Sequence, residues 1–238
     1  MSQQLFSSPL SSPLYFADPR PLAFWTTTAV TSDLNEINSP AGQPSSDNDD
    51  LDKTQPPLSA LRHEIPTELY RQMPQLGRLT QNHPRDNEDG LTFLMRLRAS
   101  TTPEDAVTFT AFAAKPKMAI WWGYECLRHA ASELSANDRH MMELVATWTT
   151  YPDDENRFRT AREALYAPVR SPAVFLGLAV TWSGGSIAPN DPAQVPEHRA
   201  PRAINSAVLS CLSGAALNNR PIQLARFIDL AAPLFRSF

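Results

Sequence analysis

A chain of 238 residues is long enough for a real hydrophobic core, and its formal net charge of −4 lacks the basic surplus that phosphate neutralisation needs, which excludes a nucleic-acid binder by charge. Its 22 prolines and 8 glycines invert average usage, roughly 12 and 17 for this length, and so favour stiff connectors and proline-marked helix starts over tight β-turns. No run approaches the about 18 apolar residues of a membrane span, and MSQQLFSSPLSSPLYF lacks the basic and apolar regions of a secretory signal, so a cytoplasmic protein with no membrane partner is expected.

Residues 1–57 carry seven acids (Asp18, Asp33, Glu36, Asp47, Asp49, Asp50, Asp52) against Arg20 and Lys53, a balance of −5, which leaves 58–238 at +1. The stretch 38–57, NSPAGQPSSDNDDLDKTQPP, has almost no large apolar side chain to offset its ordering entropy, so it reads as an extended or disordered acidic spacer. Residues 5–25 differ, with Phe6, Leu10, Leu14, Tyr15, Phe16, Phe24 and Trp25, each worth about 1.5–3 kcal/mol when buried. Two readings are open: this stretch packs on the chain's own helical body, or it docks on a partner as an extended peptide.

From Leu58 onward the signals are helical. PTELYRQM (66–73) opens on proline, and DGLTFLMRLRA (89–99) spaces Leu91, Leu94, Met95 and Arg98 as a helix does. Thr102-Pro103-Glu104-Asp105 combines a capping hydroxyl, a proline at the first helical position and two acids facing the helix dipole. A helix from Pro116 presents Ala119, Trp122, Cys126 and Ala130, and Ser135-Ala136-Asn137-Asp138 is a capping-box variant before Met141, Leu144, Val145 and Trp148.

Asp153 caps a helix over 154–167, Ser171-Pro172 opens another that ends at Gly184-Gly185, and Pro201 starts one through about Leu217. The last covers 221–236. Eight or nine helices and no strand predict an all-α fold, an irregular multi-helix bundle or short helical array over 58–238, preceded by the extended segment 1–57.

No G-x-S-x-G, H-E-x-x-H or glycine-rich phosphate loop occurs, so no catalytic residue and no cofactor is assigned. The nearest approach to a metal site is Glu125 with His129 on one helix and His140 with Glu143 on the next, which two antiparallel helices could bring together. The plain alternative is solvated charge pairs. Cys126 and Cys211 lie in apolar helical contexts and read as buried thiols. Trp122, Trp148 and Trp182 fit core stripes. Trp121 lies about 100° around the helix from Trp122, so the two cannot face one core element, and one of the pair is a candidate to line an interface.

Two segments carry a resemblance: AKPKMAIWWGYECLRHA (114–130) and the turn from Trp182 to Pro189, W-S-G-G-S-I-A-P, with its proline-rich connector and following helix. They resemble a proteobacterial family of unknown function typified by a K-P-x-x-A-[VI]-W-W helix and a [WF]-S-G-G-S-[LI]-A-P turn, over roughly residues 90–230. Members of that family tend to be encoded beside type VI secretion effectors and their accessory proteins. The resemblance therefore implies a non-catalytic accessory, adaptor or chaperone-like protein whose partner is another protein, either a secreted effector or a neighbouring accessory protein. Its candidate partner-binding residues are Trp121, Trp182 and the apolar residues of 5–25. Two alternatives are a metal-binding helical-bundle enzyme using Glu125, His129, His140 and Glu143, and a homo-oligomeric structural subunit assembled through residues 1–57.

Overall fold

A computed structural model describes residues 59–130, 134–188, 191 and 193–236. The acidic spacer, the 58 boundary and the candidate residues Phe6, Leu10, Leu14, Tyr15, Phe16, Phe24 and Trp25 lie outside them, as does Pro189 of the turn.

The described residues are all-α. Helices α1 (Pro66–Gln72), α2 (Pro74–Leu79), α3 (Gly90–Arg98), α4 (Glu104–Ala113) and α5 (Pro116–Ala130) precede α6 (Ala136–Thr150), α7 (Asp154–Tyr166), α8 (Pro172–Thr181), α9 (Arg199–Gly214) and α10 (Arg220–Ala231). Short 3₁₀ turns cover Leu217–Asn219 and Ala232–Phe235. The β-type pairing present is one isolated antiparallel bridge, Leu61 with Ala114, which lays the segment before α1 along the α4–α5 junction. No helix among the described residues is long and apolar enough to cross a membrane.

Two helices are buried nearly all round, and each forms the centre of a layer of neighbours. Every residue of α4 from Asp105 to Ala113 is buried, against α2, α3, α9 and α10. In α8 the buried residues are Ala173, Val174 and the run Leu176–Thr181, enclosed by α5, α6, α7 and α9. Helices α5 and α9 pack on both and on each other, and so join the two groups into one core. Gly177 permits the tight crossing on α8, because a Cβ there would collide with Met141 Sδ and lie 3.1 Å from the Ala164 Cβ.

Local cap chemistry explains most boundaries. Ser135, Asp153 and Ser171 each accept a hydrogen bond from the backbone N–H three residues on, at 3.1, 2.8 and 3.2 Å. Ser171 also donates to Asp138 in the first turn of α6, which ties the start of α8 to the start of α6.

Elsewhere the structure departs from the sequence reading. The stretch 66–73 continues into a second helix, α2, because Pro74 cannot prolong α1 but suits a new first turn. Thr102 is not the helix cap. Its hydroxyl donates to Asp105 Oδ2 at 3.2 Å, and the same oxygen accepts the backbone N–H groups of Gln81 and Asn82, each at 2.9 Å. That carboxylate holds the loop after α2 against the start of α4. Helix α9 starts at Arg199, with Pro201 inside the first turn, where no backbone N–H is needed, and it ends at Gly214 rather than near Leu217. The last helix gives way at Ala232 to a 3₁₀ turn containing Pro233.

Candidate partner-binding site

The end of α8, the turn that follows it and the start of α9 form the most elaborated surface. Its anchor is Arg157, one turn into α7 and only 5% exposed. The Arg157 Nη1 donates to the Ser186 carbonyl at 2.6 Å and to the Thr181 carbonyl at 3.5 Å, while Nε and Nη2 reach Asp154 Oδ1 at 3.0 and 2.8 Å. The guanidinium also lies 4.5 Å from the Phe158 ring centroid. Thr181 ends α8 and Ser186 lies in the turn, so one side chain fixes the path of the chain across the S-G-G-S segment. Gly185 takes φ +60°, a conformation suited to glycine, and its carbonyl accepts from Val195 N–H at 3.3 Å. A cavity of about 630 Å³ lies over this clamp, with Trp148, Phe158, Gly184 and Ser186 in its wall.

Trp182 is the C-cap of α8. It is half-buried, and its indole N–H is buried with no acceptor among the described residues. A buried donor left unpaired costs about 1–3 kcal/mol. With Phe175, Ala203, His198, Arg199 and Arg202 it lines a second cavity of about 570 Å³. The Arg199 guanidinium lies 5.8 Å from the Trp182 ring centroid. Arg199 and Arg202 are both exposed, and neither has a carboxylate within salt-bridge distance among the described residues. Among the described residues no acidic side chain lines this cavity. The arrangement offers aromatic walls and two guanidinium groups, which suits recognition, and Ser206 completes its lining.

The tryptophans divide by burial. Trp122 and Trp148 are core residues at 0% and 5% exposure. Trp121 and Trp182 are half-buried against the core. Trp182, which also fits a core stripe by spacing, lines the cavity, whereas Trp121 lines neither of the two cavities.

Glu125, His129, His140 and Glu143 are not brought into one site. Glu125 is held by Arg128 at 2.7 Å with His129 at 3.9 Å, and His140 faces Glu143 at 3.9 Å on an exposed surface. Among the described residues no three His, Cys, Asp or Glu side chains are grouped to hold a metal ion. Both thiols are free. Cys126 is buried, whereas Cys211 is only half-buried. Burial pushes the Cys126 thiol well above its ordinary range and, with nearby Asp138 adding to it, the Cys211 thiol to about 12. Neither is a thiolate at neutral pH.

The arginines were the part that sequence reasoning missed. Arg157 carries one signal, a cation near a helix N-terminus where the dipole disfavours it. Arg199 and Arg202 carry another, two cations three residues apart and so on one helical face.

No curated protein and no solved structure matches the chain. One family model matches residues 93–235, a span that contains the Lys115–Trp122 segment, the Arg157 clamp and all of the Trp182 cavity. At that coverage the chain belongs to DUF6931, a family of unknown function.

Proposed function

We propose that this chain is a non-catalytic protein-binding accessory, an adaptor or chaperone-like protein. It acts in the cytoplasm of a proteobacterium on a type VI secretion effector or a neighbouring accessory protein. The observation that carries the binding reading is the Trp182 cavity, in which aromatic walls meet arginines that have no carboxylate partner among the described residues, beside the S-G-G-S turn. Tryptophan and arginine are the residue types that contribute most at protein interfaces. The secretion context rests on the resemblance of the Lys115–Trp122 and Trp182–Pro189 motifs alone.

Co-expression with each protein encoded by neighbouring genes, followed by size-exclusion chromatography with light scattering, tests the reading. It requires a complex of defined stoichiometry with at least one of them. Elution as separate species in every pairing would remove the adaptor assignment.

A further inference from the structure

The chemistry of the Trp182 cavity narrows what it can hold, on the premise that the chain is a protein-binding one. Phe175 and Ala203 supply apolar wall, and the Trp182 face adds a flat aromatic surface. A volume of about 570 Å³ accommodates a few side chains rather than a folded domain. Arg199 and Arg202 lie one turn apart on α9, so their like charges face the same way. His198 precedes them at the helix cap and adds no negative charge.

This cationic edge is local, because residues 58–238 sum to only +1. Two exposed guanidinium groups without carboxylate partners among the described residues, on a wall where those residues place no acid, are complementary to carboxylates, which the planar guanidinium binds in bidentate fashion.

We propose that the cavity formed by Phe175, Trp182, Arg199 and Arg202 binds an acidic peptide segment of a partner protein. In that segment an aromatic or branched aliphatic side chain sits beside Asp or Glu. The apolar side chain enters between Phe175 and Trp182, and the carboxylates pair with Arg199 and Arg202.

Selection of random twelve-residue peptides displayed on phage against the immobilised full-length chain tests this. The selected peptides are then titrated by fluorescence anisotropy against wild type, R199E/R202E and a control, R71E/R78E. The control makes the same charge change at exposed arginines of α1 and α2. Thermal melts establish that all three are folded.

Selected sequences should place Asp or Glu beside Phe, Trp, Tyr, Leu or Ile. R199E/R202E should weaken them about tenfold or more, and R71E/R78E should change them by less than about twofold. Peptides that bind R199E/R202E as tightly as wild type overturn the proposal while leaving protein binding intact. Peptides displaced by free succinate at concentrations equal to their own also overturn it, since the cavity would then be a small-anion site. Recovery of no peptide at all counts against both the cavity proposal and the protein-binding reading.

Discussion

Trp122 on α5 donates its indole N–H to the backbone carbonyl of Phe227 on α10 at 3.0 Å, and both side chains are fully buried. The same indole thus fills the core between two helices and fixes their register through one polar contact, whereas its neighbour Trp121 remains half-buried.

The first prediction follows from that bond. Trp122→Phe keeps most of the ring and removes the donor, and should lower stability by about 1–2 kcal/mol in urea unfolding. Trp122→Ala should lower it by about 3–5 kcal/mol. A loss for Trp122→Phe equal to that for Trp122→Ala would show that the indole donor, which both variants remove, matters and that ring volume does not.

Arg157 yields a second test, because its two kinds of partner differ in exposure. Asp154 is 76% exposed at its side chain and its pairing is screened by water, so Asp154→Asn should cost no more than about 0.5–1 kcal/mol. Arg157→Met leaves the Ser186 and Thr181 carbonyls without their donor and should cost about 1–3 kcal/mol. Hydrogen exchange at the amides of 183–188 should rise in Arg157→Met and not in Asp154→Asn.

A third concerns acid stability. Glu88 is buried and bonded in bidentate fashion by Arg96, at 2.7 and 2.6 Å, which holds its carboxyl below the ordinary range. The Arg85 backbone N–H adds a bond at 2.9 Å. A carboxyl with a depressed folded-state pKa contributes stability that is present above the unfolded value, about 4.3, and is lost as pH falls through the folded value. Wild type should therefore lose urea stability more steeply than Glu88→Gln as pH falls below about 4.3, and the two profiles should be parallel near neutrality.

The thiols give a fourth. With Cys211 pushed to about 12 and Cys126 well above its ordinary range, neither should react appreciably with an aromatic disulfide reagent in the native protein at neutral pH. Two thiols per chain should react in denaturant. Rapid labelling of Cys126 under native conditions would contradict its burial in the core.

How much of this was readable in the sequence depends on how local each signal is. Ser135, Asp153 and Ser171 bond to amides three residues away, so their helices start where the sequence places them. Thr102 has the same local pattern, but Asp105 draws its hydroxyl into a bracket with Gln81 and Asn82, 24 and 23 residues earlier. Helix α2 has six residues, too few to establish a period. The Trp182 cavity was legible only as a tryptophan of interest, because its arginine edge and the Arg157 clamp arise from α7, α8 and α9 meeting in space. The four candidate metal ligands are not grouped, for the complementary reason. Helical spacing made two adjacent pairs, and the packing of α5 and α6 left them apart.

The central claim is that this chain works by holding another protein. Its most direct test is the hydrodynamic mass of the untagged protein in gently prepared extracts of its native host, followed by identification of whatever co-elutes. The account predicts elution well above the 26.4 kDa of the single chain, in stoichiometric company with a second protein, and a shift toward the free chain for R199E/R202E. Recovery of the wild-type chain alone at its monomer mass would contradict it.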